Sequence, residues 1–255
     1  MSDHKLVVAW HFVAGDRRLR DGRIVRKGTL YRLPEDVEPV MCRVGYHACR
    51  RPLDALDYAP GPIACRVELG GRVIEHSDKL VASERRVVWA ADATRTLHDF
   101  ALWCADRALR RERKAGREPD PRSWRALRVK RAWLAGRASD EELREAALAA
   151  YAAAYDAAEA AEAAAPASAL LAAGVVDPDA APESAAWAAA QAAAHAAEAA
   201  ADTAAYAAAE AARDAAEAAA EAVAGAAAAD AARAAARAAQ DRKLTRLLLA
   251  LGEGG

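Results

Sequence analysis

The chain reads as an α+β protein: a small β-rich N-terminal domain followed by an all-α, alanine-rich antiparallel helical bundle. Three observations predict this. From Ser139 to Gly255, 59 of 117 residues are alanine, the residue with the best helix propensity and almost no side-chain entropy to lose. Before residue 92, short alternating apolar and polar runs carry the two-residue period of strands. The charge also changes sign along the chain. Residues 1–138 hold 29 Lys+Arg against 18 Asp+Glu, a net of +11, and residues 139–255 hold 7 against 19, a net of −12. The boundaries expected are a domain over 1–92, a helical domain over 93–251 and a flexible tail over 252–255.

In the first domain Lys5–Val13 predicts a strand with Trp10 and Phe12 on one face. Asp21-Gly22 is a hairpin signal between Arg18–Arg20 and Arg23–Val25. Thr29–Leu33 reads as another strand. Pro52–Ala59 reads as a short helix with Pro in its first turn, stopped by Pro60-Gly61-Pro62. Ile63–Leu69 alternates, Gly70-Gly71 turns, Arg72–His76 continues, and Arg85–Trp89 closes the set.

A helix is expected from Thr96, capped by its hydroxyl, with Leu97, Phe100, Ala101, Cys104 and Ala108 on one face. A second spans about Pro121–Ala135, with Gly136 placed to end it. Ser139-Asp140-Glu141-Glu142 is a capping box that opens a third, running to about Ala165. Pro166 interrupts, Leu170 and Leu171 continue briefly, and Gly174–Glu183 is a loop. A helix from Ser184 to about Gly225 would be about 60 Å long at 1.5 Å per residue. A last one covers about Ala226–Leu251.

Small side chains let helices approach at the short end of the usual separation, so a compact bundle with Ala faces inward is expected. Such a tract supplies few reactive groups. Its larger residues either plug gaps or face a partner. Trp187, Gln191 and His195 form a ridge at helical spacing, extended after a three-residue step by Glu198, Asp202, Tyr206 and Glu210. The candidate partner-binding set is Trp187, Gln191, His195, Asp202 and Tyr206.

Met41–Tyr58 holds the densest reactive side chains of the first half. Cys42, His47 and Cys49 lie within eight residues, and Cys65 follows. They are weak candidates for a metal, because the spacing departs from the usual C-x2-C; no resident metal or cofactor is expected. No phosphate-binding glycine motif and no H-E-x-x-H is present. Arg107–Arg131 carries 11 Lys/Arg in 25 residues, which makes nucleic-acid contact possible there. No segment approaches the ~20 apolar residues of a membrane helix, no signal peptide opens the chain, and four scattered cysteines suit reduced thiols. A cytoplasmic protein is expected.

Two stretches resemble known families. Cys42–Leu69, with C-R-V-G-Y-H-A-C-R-R-P-L-D-A-L-D-Y and then C-R-V-E-L-G-G, resembles an uncharacterised domain of bacterial and phage proteins over residues 5–90. About Thr96–Leu251 is similar to the alanine-rich immunity proteins of bacterial toxin systems, through L-H-D-F-A-L-W-C-A-D-R-A-L, R-A-W-L-A-G-R-A-S-D-E-E-L-R-E-A-A and H-A-A-E-A-A-A-D-T-A-A-Y. That resemblance implies an all-helical protein that binds and neutralises a toxin. Leu30-Tyr31-Arg32, then Gly45-Tyr46-His47 and a later strand Glu, either Glu68 or Glu84, are similar to ADP-ribosyltransferases. This third likeness implies that Arg32 or His47 would hold NAD and that the Glu would stabilise the oxocarbenium charge. A non-enzymatic protein-binding protein acting through its helical domain is therefore expected, with the NAD-using enzyme or a phage structural or nucleic-acid-associated protein as alternatives.

Overall fold

The structure, a computed structural model, describes residues 6–164, 185–197, 204–222 and 226–253. The expected Pro166 break, the Leu170-Leu171 continuation, the Gly174–Glu183 loop, Glu198 and Asp202 lie outside the described residues. The chain is α+β, an antiparallel sheet followed by helices. Its strands are β1 (Val7–Val13), β2 (Leu30–Arg32), β3 (Tyr46–Ala48), β4 (Ile63–Glu75) and β5 (Leu80–Asp92). The described helices are α1 (Pro52–Leu56), α2 (Thr94–Lys114), α3 (Pro121–Leu134), α4 (Asp140–Ala164), α5 (Ala185–Ala196), α6 (Ala204–Glu221) and α7 (Ala226–Glu253). None is long and apolar enough to cross a membrane.

The sheet runs β1-β4-β5-β2, and β3 pairs with the first residues of β5 beside the β2 pairing. Alternation decides its faces. Ile63, Cys65, Val67 and Leu69 of β4 share one buried cluster with Ala9, Val13, Tyr31, Tyr46, Ala48 and Val87. Trp10 and Phe12 take the opposite face, as expected, and are almost fully buried. There Arg66 lies 4.3 Å over the Trp10 ring, and Trp89 meets that ring edge-on at 5.8 Å.

Three local expectations change. Gly70-Gly71 is a bulge and not a turn. Gly70 opposes Glu84 and Val73 opposes Ala82, so β4 keeps its ladder with β5 on both sides and the extra residue is absorbed. The Asp21-Gly22 turn forms, with Leu19 N donating to Arg23 O at 2.8 Å, but its arms make a single bridge and no strands. Helix α2 starts two residues early because Asp92, not Thr96, caps it: Oδ1 accepts from Thr94 N at 2.8 Å and from Thr94 Oγ1 at 2.6 Å.

Elsewhere the capping chemistry is as read. Glu142 N donates to Ser139 Oγ at 3.1 Å, and Ser139 N donates to Glu142 Oε2 at 2.7 Å. Gly136 sits at φ +66° past α3, where Arg137 N reaches Ala132 O at 2.8 Å. The expected helix over 184–225 is not one rod, since α5 ends at Ala196 and Ala197 is already a turn. Helix α7 continues through Gly252 to Glu253, into the expected tail.

Contacts divide the chain into two units. One comprises Met1–Phe100, Ala200–Ala209 and Gln240–Gly255; the other comprises Ala101–Ala199 and Glu210–Ala239. The sheet unit thus includes the C-terminal end of α7, where Asp241 Oδ1 accepts from Leu53 N at 3.4 Å. In the helical unit Ala126, Leu143, Ala146, Ala147, Ala150, Ala194 and Ala197 form a core edged by Val129, Trp133 and Tyr151.

Gly71 has φ +64°, and a Cβ there would collide with Ser83 Oγ across the bulge. Gly116 has φ +82° with open space around it. We expect Gly71→Ala to cost about 2–4 kcal/mol, strain plus overpacking, and Gly116→Ala about 1–2 kcal/mol, strain alone. Urea denaturation of both variants checks this; equal losses would contradict the bulge packing.

Candidate functional site

A cavity of about 600 Å³ opens on the sheet unit. Its walls come from β1 (Trp10, His11, Phe12, Val13), the 18–21 turn, the 42–49 segment, Ala55, Tyr58, Pro60, Lys79 and Arg85. Five of the lining residues are cationic (Arg18, Arg20, Arg43, Lys79, Arg85) and one, Asp21, is acidic.

Local backbone chemistry shapes the 40–49 wall. Val40 and Val44 exchange hydrogen bonds at 2.7 and 2.9 Å, which closes a tight turn with Cys42 at φ +61°. That left-handed geometry is unusual for a residue with a side chain. It is supported by His47, whose Nε2 accepts from Cys42 N at 2.9 Å. Gly45 follows at φ +119°, where a Cβ would run into Val81 and Pro39. Beyond β3, Cys49 and Trp10 exchange backbone hydrogen bonds at 2.7 and 2.8 Å and tie the segment to β1.

Arg85 lies at the buried end and is 3% exposed. Its register places it opposite Tyr31 and Leu69, on the core face. The guanidinium stacks 5.1 Å from the Tyr46 ring centre and 5.5 Å from that of Tyr31. It makes no hydrogen bond or ion pair among the described residues, and its Nε is buried without a partner. Burial pushes its pKa below the usual arginine value, yet a guanidinium stays protonated. Arg23 lies over the same two rings, 5.0 and 5.6 Å from their centres, but is neutralised by Asp21 at 2.5 Å and also donates to Tyr46 Oη at 3.0 Å. Tyr31 Oη donates to Ile24 O at 2.8 Å. The two tyrosines are thus pinned, and of the two arginines on their rings Arg85 is the one without a counter-charge among the described residues.

The neutral groups of the cavity are held neutral. Burial first, then Arg85 and His47, lower His11 to about 3. Burial also lowers His47, helped by Lys79, Arg85 and Arg20 and opposed by a hydrogen bond to Gly45. Burial raises Cys49, and Cys65 in the adjoining hydrophobic core, to about 12. Their thiols therefore stay protonated and are poor nucleophiles or ligands. Among the described residues no group of three or more His, Cys, Asp or Glu is placed to hold a metal.

Of the residues singled out in the first half, Cys42, His47 and Cys49 line the cavity, Cys65 lies in the hydrophobic core, and Tyr31 stacks on Arg85. Arg32, Glu68 and Glu84 point the other way. Arg32 Nε meets Glu84 Oε1 at 3.0 Å, and Glu68 Oε2 lies 3.9 Å from Arg86 Nε, on the sheet face opposite Arg85. Tyr31, Arg32, His47 and a Glu are therefore not convergent. Arg85, His11, Arg20 and Arg43 were not legible as site residues, because only the tertiary register brings them together.

In the helical unit the proposed ridge turns inward in part. His195 Nδ1 lies 2.7 Å from Asp214 Oδ2, both side chains are 14% exposed, and the Tyr151 ring meets the imidazole edge-on. Gln191 Oε1 is buried without a partner. Tyr206 is 56% exposed and belongs to the sheet unit. Five of the eleven cations in 107–131 pair with acids: Asp106 takes Arg110 and Arg131, Glu112 takes Arg117, Glu118 takes Arg113, and Asp120 and Asp156 take Arg122. Lys130 is fully buried. Part of the charge that suggested nucleic acid is thus matched within the chain.

His11 gives a pH signature. Above its unfolded pKa of 6.5 it is neutral in both states. As the pH falls from 6.5 toward 3, the unfolded chain takes a proton that the folded chain refuses, so stability drops. Between pH 7 and 5 we expect wild type to lose about 1–2 kcal/mol more than His11→Gln. Denaturation curves at both pH values measure it; parallel losses would show that the imidazole titrates freely.

A family model described as Domain of unknown function (DUF7666) matches residues 23–99. The match takes in Arg43, Gly45, Tyr46, His47 and Arg85 of the cavity. No curated protein and no solved structure matches the chain.

Proposed function

We propose that the protein is a non-enzymatic binding protein whose sheet unit takes up a small anionic molecule in the cavity over Arg85. The observation that carries this reading is a guanidinium buried against two tyrosines with no anionic partner among the described residues. An uncompensated buried charge costs several kcal/mol, and a bound anion offsets that cost with short, charge-assisted hydrogen bonds. The volume is far larger than one inorganic ion and lies in the range of small-molecule sites. Binding, not turnover, is supported by the protonated thiol of Cys49, by His47 being committed to Cys42 N, and by Arg32, Glu68 and Glu84 facing away from the cavity.

A second reading places a protein partner, such as a toxin, on the helical unit. It is favoured by Leu148 and Tyr155, seven residues apart on one face of α4 and each 63% exposed. A partner recovered by the wild-type chain and lost by Leu148→Glu/Tyr155→Glu supports this reading; equal recovery sets it aside.

The cavity reading is tested by calorimetric titration of the full chain with orthophosphate at low salt. Wild type is expected to bind saturably, and Arg85→Gln, with an unchanged circular dichroism spectrum, to bind at least about tenfold more weakly. No saturable binding, or equal affinity in the variant, would overturn it.

A further inference from the structure

We infer that the ligand of this cavity is an organic diphosphate, with one phosphate on Arg85 and the other on Arg20 and Arg43; the inference rests on the anion-binding reading above.

The cations of the cavity fall into two groups. Arg18 is occupied: Nη1 donates to Gly22 O at 2.8 Å, and Nε lies 3.9 Å from Asp16. Lys79 Nζ reaches Tyr58 Oη at 3.4 Å, and Tyr58 is itself bonded to Asp78. By contrast, the side chains of Arg20, Arg43 and Arg85 make no hydrogen bond or ion pair among the described residues. Asp21, the one lining carboxylate, is taken by Arg23. Three uncommitted guanidiniums therefore share one cavity with no acid free to answer them.

Their depth differs. Arg85 is buried, and Arg20 and Arg43, which line the same cavity, are exposed. A single monophosphate on Arg85 would leave the two outer guanidiniums unmatched. A diphosphate ester carries roughly two to three negative charges near neutral pH, which matches three cations. Guanidinium forks suit phosphate oxygens geometrically. The volume of about 600 Å³ leaves room for an organic body, and the apolar sides of Phe12, Val13 and Ala55 line part of it.

The test titrates the full chain with ADP, AMP and orthophosphate. Wild type is expected to bind ADP at least about tenfold more tightly than AMP, the weight of one further charged contact pair. In Arg20→Ala/Arg43→Ala, ADP affinity should fall to within about twofold of AMP, AMP affinity falling by far less than ADP affinity, with the melting temperature unchanged. Arg85→Gln should weaken both nucleotides. Equal ADP and AMP affinities in wild type, or an ADP preference that survives the double variant, would overturn the inference and leave the Arg85 reading standing. Binding of orthophosphate without either nucleotide would do the same. Loss of all three ligands would sink both.

Discussion

Tyr31 and Tyr46 hold two arginines against their rings, and only one of those arginines has an acid to answer it. Asp21 neutralises Arg23, which ties the 18–25 turn to Tyr46. Arg85 is left stacked on the same rings, 3% exposed, its Nε without an acceptor. Cation–π contacts contribute about 2 kcal/mol when desolvated. The desolvation of a buried ion costs several kcal/mol. The aromatic faces therefore reduce the imbalance without removing it. The rest of the cavity is consistent with a preformed receptor. The αL turn at Cys42 is propped by His47, and Gly45 admits a backbone path that no side chain would fit.

The helical half works by other physics. Its alanines pack cores with few polar atoms, and some of the polar residues inside pair with one another. His195 and Asp214 do so across α5 and α6, with Tyr151 on the imidazole. On the surface, arginines pair with neighbouring acids, as Arg233 does with both Glu217 and Asp230. Local pairing of this kind consumes charge that a count over the sequence assigns to a distant partner.

Much of the fold was legible in the sequence because local rules decided it. The capping box at Ser139, the glycine after α3, and the alternation of Ile63–Leu69 all depend on residues within a few positions of one another. What failed depended on partners far along the chain. Gly70-Gly71 carries a turn signature, and only the ladder with β5 makes it a bulge. Tyr46–Ala48 is too short to read as a strand, and pairing with Leu80–Ala82 makes it one. The site was half legible for the same reason. Met41–Tyr58 drew notice for its Cys and His content, yet burial raises the Cys49 thiol and the histidine props a turn. Arg85 sits in an alternating run, Arg85-Arg86-Val87-Val88, in which either face could have been the buried one. Register with Tyr31 and Leu69 decided that Arg85 faces in and Arg86 out.

The central claim is that Arg85 is kept at a cost to stability for the sake of a ligand. Chemical denaturation of Arg85→Met against wild type, in buffer free of multivalent anions, tests it most directly. Methionine keeps much of the length and removes the charge. Unchanged or higher stability in the variant is the predicted result, because a buried ion without a partner is replaced by an apolar group. A loss of more than about 2 kcal/mol would mean that the stacking on Tyr31 and Tyr46 outweighs desolvation, and that Arg85 is part of the scaffold and not a waiting receptor.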